Sequence, residues 1–453
     1  MNLKPRHCLC AAFLLLACLA AAGRGQYLED SVDCGGRWVG SLAYNPLANV
    51  VYGASEDGPF FAISADSNKL VSSTWFDYPV WVVYDSTDNK AYCIVRTADY
   101  DTIMVMDGST HQRIGAIPLE EGTRAVWNPD NDRLYVSMGD ENRVAVIDCQ
   151  ANAVLCEIPV GEYPVGLALN RLHQKLYVQN TNSDEVSIID LVTNQVIKTA
   201  ALGYSPDAGC YCDSADKYYC SCGLSIVVID GVSNSMLGIM LGQPQTGIAM
   251  VESPACGVMM VATGDSILVV DTDRDSFVSR LGVGRQPQGL VWSPPTNLVY
   301  CANWAGSVSV IAGDGSRVVM TLPVGDAPFC FALAPDYRRV YVGCLNTRWV
   351  YVIRDTTSGI QEQSSYSPPA AVLGVRPNPF TRSVAIVWNT LTTGGHFARV
   401  YAQDGRLVRE ARVPVGEARW VWDGREGCGA EAPAGVYFIE AAGIARVLVV
   451  KLE

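Results

Sequence analysis

Four cysteines near the middle of the chain are spaced closely enough to do metal or redox chemistry. In the stretch GCYCDSADKYYCSCG, two C-x-C pairs are separated by seven residues. Four thiolates at such spacing suit a zinc ion or an iron–sulfur cluster, and two thiols can form a disulfide. Because cysteine also packs as a small hydrophobic residue, three interpretations are open: free buried thiols, a disulfide, or a metal site. The residues concerned are Cys210, Cys212, Cys220 and Cys222.

Other chemically capable residues are scattered along the chain. Cys149 and Cys156 bracket a predicted hairpin turn, and a disulfide between them requires a register that places them opposite each other. The histidines beyond residue 22 (His111, His173 and His396) share no motif, which argues against a catalytic triad or a histidine metal centre. No catalytic residue and no cofactor are predicted. The C-x-C cysteines are the metal candidates.

The composition is that of a folded, turn-rich β protein. Apolar residues make up 49% of the 453 residues and charged ones 17%, with 41 Gly and 23 Pro. The net charge of -13 argues against nucleic-acid binding, because contact with a phosphate backbone requires clustered Lys and Arg. No segment beyond the leader is long and apolar enough for a transmembrane span.

The first 22 residues are typical of a secretory signal peptide. Lys4 and Arg6 precede an apolar run from Leu9 to Ala22, and small residues follow. Cys18 makes a lipoprotein the lesser alternative. Removing the leader takes away three of the 16 cysteines and leaves 13, on an export route that permits disulfides. The expected location is outside the cell or on the outer-membrane surface of a bacterium.

An internal repeat occupies residues 27–356. Copies such as NPDNDRLYVSMGDENRVAVID and NRLHQKLYVQNTNSDEVSIID recur so that their first strands lie 40 to 44 residues apart. Each copy contains four predicted short strands, which is the pattern of a β-propeller blade. The last copy lacks its fourth strand, and residues 27–34 can supply it and close the ring. We therefore predict an all-β propeller of eight four-stranded blades, with seven blades as the alternative.

The repeats resemble the YVTN family of β-propeller repeats over about residues 27–356. The resemblance rests on an h-Y-[VC] segment followed by a V-x-V-I-D segment, as in RLYVSMGDENRVAVID. It implies the propeller fold and says little about function.

Stacking the copies gives columns of equivalent positions. One column of the second strand is almost entirely tyrosine, and we interpret it as core packing and not as a ligand-stacking ladder. The first-strand column that contains Tyr44 is expected on the same, bulky side of each blade, and all four C-x-C thiols on one face. The recurrent aspartate of V-I-D is expected to cap a turn. The tyrosine column consists of Tyr52, Tyr92, Tyr135, Tyr177, Tyr219, Met259, Tyr300 and Tyr341.

A second module follows the repeats. Residues 357–371 are polar and rich in proline, as a linker is, and residues 372–453 alternate apolar strands with Asp-Gly and Gly-rich turns, which predicts a small Ig-like β-sandwich. The motifs of this module are Pro377-Asn378-Pro379-Phe380, Trp422-Asp423-Gly424, Gly435-Val436-Tyr437-Phe438 and a terminal strand with Lys451.

These motifs resemble the C-terminal sorting domain of type IX secretion, which is similar to the Ig-like domain of flagellar hook-capping proteins. The resemblance implies export across an outer membrane, with the secretion machinery as a partner. An accessory domain without a sorting role is the alternative, since similar sandwiches serve unrelated functions.

The leading functional hypothesis is an exported scaffold that binds a protein, glycan or small-molecule ligand with its loop face or central channel. One alternative is an extracellular hydrolase or lyase at the channel mouth, for which the loops offer Glu162, Asp207 and Asp326 as scattered acids. The other alternative is a metal or redox protein that uses the clustered cysteines.

Overall fold

The computed structural model describes residues 26–97, 101–241, 247–356, 372–376, 381–388, 396–402, 406–413, 419–427, 429–441 and 447–452. The chain divides into two compact units, one ending at Gly359 and the other starting at Ile360. The leader, the predicted linker and the Pro377–Phe380 motif lie outside the described residues. Within the described part, no helix has the length and hydropathy needed to cross a bilayer.

The first unit is a ring of eight antiparallel four-stranded sheets, so the predicted eight-bladed propeller is confirmed. Blade 1 contains β2 (Val39–Asn45), β3 (Val50–Ser55), β4 (Pro59–Ser64) and β5 (Lys69–Trp75); blade 2 contains β6 (Pro79–Asp85), β7 (Lys90–Val95), β8 (Asp101–Asp107) and β9 (Arg113–Leu119); blade 3 contains β10 (Arg124–Asn128), β11 (Arg133–Met138), β12 (Arg143–Asp148) and β13 (Ala153–Pro159); blade 4 contains β14 (Pro164–Asn170), β15 (Lys175–Asn180), β16 (Glu185–Asp190) and β17 (Gln195–Ala201).

The remaining blades follow in the same order. Blade 5 contains β18 (Pro206–Cys212), β19 (Lys217–Cys222), β20 (Ser225–Asp230) and β21 (Met236–Leu241); blade 6 contains β22 (Gly247–Ser253), β23 (Val258–Thr263), β24 (Ser266–Asp271) and β25 (Ser276–Gly282); blade 7 contains β26 (Pro287–Ser293), β27 (Leu298–Asn303), β28 (Ser307–Ala312) and β29 (Val318–Pro323); blade 8 contains β30 (Pro328–Ala334), β31 (Arg339–Cys344), β32 (Trp349–Arg354) and the N-terminal β1 (Tyr27–Asp33). Two short 3-10 helices, Pro254–Cys256 and Pro335–Tyr337, lie in turns.

The ring is closed by its N-terminal strand, as predicted. β1 pairs antiparallel with β32 from Tyr27 opposite Arg354 to Asp33 opposite Trp349. Glu29 reinforces this seam, since its carboxylate contacts both Arg339 and Arg354. The closure pairs an edge strand that would otherwise present free backbone groups to solvent.

The tyrosine column is core, as predicted, but its face was assigned wrongly. Tyr52 lies directly opposite Ala43, whereas Tyr44 lies opposite Val51. Residues opposite each other in an antiparallel pair share a face, so each tyrosine shares its face with the small first-strand column and not with Tyr44. In blade 6 the member of the column is Met260, because Met259 packs on the other face.

Each tyrosine points toward the next blade in the ring. Several of the hydroxyls cross the junction: Tyr52 donates to the carbonyl of Gly108 at 3.0 Å, and Tyr341 donates to Asn68 Oδ1 at 2.8 Å, joining blade 8 to blade 1. Because these side chains are fully buried, the column is a packing and hydrogen-bonding device between blades.

The V-I-D aspartates cap turns, as expected. Asp107 Oδ1 accepts the backbone N–H groups of Ser109 and Thr110, and Asp190 Oδ1 accepts those of Val192 and Thr193. These bonds lower the pKa of both carboxyls, since hydrogen bonding to the ionised form favours it.

The second unit contains one three-stranded and one four-stranded antiparallel sheet. The first has the order β33-β34-β37 and the second β36-β35-β38-β39. A buried cluster includes Val384 and Trp422 of the first sheet together with Val400 and Tyr437 of the second. The strands are β33 (Val372–Arg376), β34 (Val384–Trp388), β35 (His396–Ala402), β36 (Leu407–Val413), β37 (Arg419–Trp422), β38 (Gly435–Ala441) and β39 (Val447–Lys451).

Candidate functional site

The loops that join consecutive blades hold bulky residues in a left-handed backbone conformation. Trp38, Tyr78 and Tyr163 have φ values of 61°, 43° and 54°. The carbonyl of each residue accepts a hydrogen bond from a backbone N–H group, which holds this conformation. The donor lies in the loop between the second and third strands of the blade that follows. The donors are Glu56, Arg96 and Thr181, respectively.

These aromatic side chains are also exposed. The exposed fractions are 46% for Trp38, 59% for Tyr78 and 37% for Tyr163, and the neighbouring junction contributes the exposed Tyr204. A left-handed conformation costs a bulky residue about 1–3 kcal/mol. Strain combined with solvent exposure of a large apolar surface is typical of a binding site. We call these four residues the aromatic rim.

The aromatic rim precedes strands that line the central channel. Cavities of about 500 Å³ and 470 Å³ lie along the first strands of the blades. The lining of the larger cavity combines apolar side chains with polar ones. The apolar residues include Trp81, Leu167, Ile248, Leu290 and Phe331, and the polar residues are Arg124, Gln179, Asp207 and Gln288. A concave space where apolar and polar side chains converge is a candidate ligand pocket.

Two charged residues line this channel. The Arg124 guanidinium lies 5.2 Å from the ring centroid of Trp81, whose Nε1 donates to the carbonyl of Ala125 at 3.0 Å. Burial lowers the pKa of Arg124 and raises the pKa of Asp207. The channel therefore offers one cationic and one anionic group in a poorly hydrated setting.

The loop face around the channel is acidic. Among the described residues, the loops between blades and between second and third strands carry more acids than bases. The bases are Arg37, Arg96, Arg285 and Arg348. The acids are Glu56, Asp57, Asp77, Glu120, Glu121, Asp140, Glu141, Glu162, Asp184, Asp265 and Asp326.

The acids considered for an enzyme do not form a catalytic pair. Asp207 lines the channel, whereas Glu162 and Asp326 are exposed in loops of other blades, and Asp326 Oδ2 accepts a hydrogen bond from Asn346. Within the described residues, the group of potential metal-ligating side chains lies elsewhere and contains none of these acids.

The two propeller histidines take part in contacts between neighbouring blades. His111 Nδ1 lies 2.9 Å from the Tyr52 hydroxyl, and His173 Nε2 lies 2.9 Å from Asp216 Oδ2. They belong to blades 2 and 4, so the structure does not bring them together.

The C-x-C cysteines do not share a face, contrary to expectation. Cys210 lies opposite Tyr219 and packs with Cys212 toward blade 6, whereas Cys220 and Cys222 pack toward blade 4. All four are free thiols. Cys220 lies opposite Gly209 and not opposite Cys210, so the register of this hairpin places the two C-x-C pairs on opposite faces. The arrangement therefore excludes a site that uses all four sulfurs.

Cys149 and Cys156 are also free thiols. Cys156 lies opposite Val146 rather than opposite Cys149, and the register shifts between Val146 and Ile147. The two cysteines consequently pack into different clusters, Cys149 between blades 2 and 3 and Cys156 between blades 3 and 4. The register that a disulfide between Cys149 and Cys156 would require is therefore absent from this hairpin.

Some residues of the sorting-type motifs lie within the described part of the second unit, and there they pack in the core or form hydrogen bonds and ion pairs. Trp422 is buried, and its Nε1 donates to the carbonyl of Arg425 at 2.9 Å. The Tyr437 hydroxyl donates to the carbonyl of Pro433, and Lys451 Nζ contacts Glu431. Asp423 and Gly424 follow β37, and Gly435 starts β38.

The aromatic rim was not singled out from the sequence. Its signal was present in the junction loops, which read GRWVG, FDYPV, GEYPV and LGYSP. The residue before the first strand is Trp or Tyr in three blades and Thr, Ser, Gln or Ala in the others, and Tyr204 stands one position earlier, so the repeat does not require an aromatic there. An aromatic residue at a position that the fold leaves free is a better functional signal than one that every blade shares.

Comparisons with known proteins agree with the fold. Antigen Lp49 of Leptospira interrogans serogroup Icterohaemorrhagiae serovar copenhageni is 22% identical over 353 residues, which cover 70% of this chain and 76% of that protein. The YncE proteins of Salmonella typhi and Salmonella typhimurium are 23% identical over 157 residues, which cover 33% of this chain and 44% of theirs. No family model matches the chain.

Among solved structures, the computationally designed Ika8 protein superposes with a TM-score of 0.61 at 15% identity, covering 72% of this chain and 99% of that one. A chain of the Mitotic Checkpoint Complex superposes with a TM-score of 0.52 at 14% identity, covering 78% of this chain and 96% of that one. At these identities the likeness concerns the fold alone.

Proposed function

We propose that this protein is an exported binding scaffold that captures a cationic segment of a protein partner on its loop face. The observation that carries the proposal is the aromatic rim, in which Trp38, Tyr78 and Tyr163 are strained and exposed at the entrances to channel-lining strands. Strained and exposed aromatic residues are retained where they contact a ligand.

The charge of the loop face supports the chemical class of the partner. Carboxylates flank the rim, among them Asp77 beside Tyr78 and Glu162 beside Tyr163. An aromatic face combined with nearby carboxylates suits lysine ammonium and arginine guanidinium groups, which gain both cation–π and ionic contacts. A glycan would use the aromatic faces without needing the excess of acids.

Sequence features support export. The leader of residues 1–22 and the sorting-type motifs of residues 372–453 are the reasons for assigning a secreted or surface-displayed location, with the secretion machinery as a second partner.

The binding proposal is tested with a triple variant, Trp38→Asn, Tyr78→Asn and Tyr163→Asn. Asparagine tolerates the left-handed conformation, so the variant is expected to fold at least as stably as the parent. Full-length protein is applied to a peptide array of graded net charge and, in parallel, to a glycan array. We expect selective binding of Lys- and Arg-rich peptides that the variant weakens roughly tenfold or more, as loss of aromatic hot spots does.

A matched control replaces exposed residues in turns on the opposite face of the ring. Leu47→Asn, Leu172→Asn and Val192→Asn remove a similar exposed apolar area and are expected to leave binding unchanged. Equal binding by the rim variant and the parent, or binding confined to glycans, would contradict the proposal.

The export proposal has a separate test. A chain lacking residues 372–453 is expressed in a host with type IX secretion and compared with the intact chain. We expect the shortened protein to remain in the periplasm while the intact one reaches the surface or medium. Normal export of the shortened protein would exclude a sorting role without affecting the binding proposal.

A further inference from the structure

Three potential metal ligands meet between blades 2 and 3, on the face opposite the aromatic rim. Asp85 ends β6, Asp132 lies in the turn before β11, and Cys149 follows β12. One carboxylate oxygen from each aspartate and the Cys149 sulfur all lie within 4.8 Å of one another. Asp85 and Cys149 are fully buried, and Asp132 is partly exposed.

The preceding junction shows what this position normally does. Asn45 of blade 1 is equivalent to Asp85, and its Nδ2 donates to Asn89 Oδ1 at 3.2 Å and to the carbonyl of Gly108 at 3.0 Å in blade 2. The amide thus supplies a donor that two acceptors of the next blade require. Asn89 is equivalent to Asp132 and Gly108 to Cys149.

The junction between blades 2 and 3 replaces that donor with an acceptor. Asp85 Oδ1 accepts the N–H groups of Thr87 and Asp88, as a turn cap does, but the buried Oδ2 has no hydrogen-bond partner among the described residues. An ionised carboxylate has no N–H to offer Asp132. A buried acceptor left facing another carboxylate is unfavourable unless a cation or a proton lies between them.

The nearby cation does not fill this role. Lys90 Nζ contacts Asp88 Oδ2 at 2.8 Å, the Cys149 carbonyl at 2.6 Å and Asn152 Oδ1 at 3.4 Å. The Lys90 ammonium therefore lies to one side of the three potential ligand atoms and not between them. The carboxylate oxygens of Asp85 and Asp132 and the Cys149 sulfur therefore lie together without a cation between them among the described residues.

We propose that Asp85, Asp132 and Cys149 bind a divalent transition-metal ion of the zinc class. A thiolate beside two carboxylates suits zinc, whereas calcium and magnesium prefer oxygen ligands alone. Binding deprotonates Cys149 and releases that proton to solvent. The partly exposed Asp132 side provides the entry path and a fourth position for water. The ion joins two blades, so it stabilises the folded ring.

The experiment measures zinc binding by the full-length protein after dialysis against a chelator. Titration uses zinc chloride in competition with a chromophoric chelator, and cobalt(II) serves as a spectroscopic probe for thiolate ligation. We expect one site whose affinity falls roughly tenfold or more in Asp85→Asn and in Cys149→Ala, and a thiolate-to-cobalt absorption band that Cys149→Ala abolishes. Zinc should raise the melting temperature of the parent and leave that of Asp85→Asn unchanged.

The set of variants includes controls for folding. Asp85→Asn restores the residue type of Asn45, so it is expected to fold, and Cys301→Ala removes an equally buried thiol elsewhere and should bind zinc as the parent does. Zinc binding that is equal in the parent and both site variants would overturn the proposal. The proposal would also be overturned if the parent bound no zinc and Asp85→Asn were more stable than the parent. That result would mean that Asp85 carries a proton shared with Asp132.

Discussion

Cys210 and Tyr219 lie directly opposite each other in the first hairpin of blade 5, on the face that packs against blade 6. Cys220 lies opposite Gly209 and faces blade 4. The sheet itself therefore separates the two C-x-C pairs. What resembles a four-thiolate motif in the sequence is two unrelated packing contacts.

We predict that the cysteines of the propeller remain reduced. The 12 described cysteines are free thiols, and burial raises the pKa of Cys220 to about 12, which leaves it protonated and slow to react at neutral pH. Alkylation followed by mass spectrometry should modify few thiols in the native protein and all 12 after denaturation. A difference between denatured samples with and without reductant would contradict this prediction.

A pair of Tyr→Phe variants should separate hydrogen bonding from packing at two buried tyrosines. The Tyr300 hydroxyl donates to Asp355 Oδ1 at 2.6 Å, whereas the Tyr218 hydroxyl is buried without a partner in the described structure. Removing a bond to a charged group costs about 1.5–3 kcal/mol. We expect Tyr300→Phe to lower the free energy of unfolding by that amount and Tyr218→Phe to leave it unchanged or raise it, as measured by urea denaturation.

The N-terminal seam should be important for stability. Glu29 contacts Arg339, which is buried, and Arg354, which is partly buried. Glu29→Gln removes the charge and leaves Arg339 without its ionic partner, so we expect a loss of about 1.5–3 kcal/mol in the free energy of unfolding. The control is Glu157→Gln, which breaks an exposed pair with Arg143 and should change stability far less, because solvent screens exposed ion pairs. Equal effects in the two variants would argue against the seam as a stabilising element.

The turn-capping aspartates predict sensitivity to acid. Backbone N–H bonds lower the pKa of Asp107, Asp190 and Asp271 below its value in the unfolded chain, and the Ser233 hydroxyl together with backbone N–H groups lowers that of Asp230. A lowered folded-state pKa stabilises the protein above pH of about 4, and that contribution is lost as pH falls through the folded-state value. Replacing all four by Asn should flatten the decline in melting temperature between about pH 5 and pH 2. An unchanged decline would exclude these groups as its source.

Much of the fold followed from local patterns. The 40-to-44-residue period predicted eight blades because the strands of a blade are consecutive in sequence and pair with their neighbours. The closing role of residues 27–34 also followed, since the repeat lacked one strand at its end. The capping role of Asp107 and Asp190 could be predicted because it depends on backbone groups two and three residues away.

Face assignment failed because alternation alone does not give the register of a hairpin. Cys210 lies opposite Tyr219, and Ala43 lies opposite Tyr52, both in regularly paired stretches whose register is set by the turn. The expected common face of the C-x-C thiols and of Tyr44 with Tyr52 assumed a register that differs by one residue. Both expectations were therefore wrong.

The sequence by itself determined the period, the number of blades and the chemistry of the turns, because these depend on residues close together in the chain. Only the tertiary structure decided what faces each blade. The unpartnered Asp85 oxygen acquires its meaning from Asp132 and Cys149, which lie 47 and 64 residues further along in the next blade. The exposure of Trp38 likewise depends on the whole ring, because closing the ring buries the tyrosine columns and leaves the junction loops in solvent.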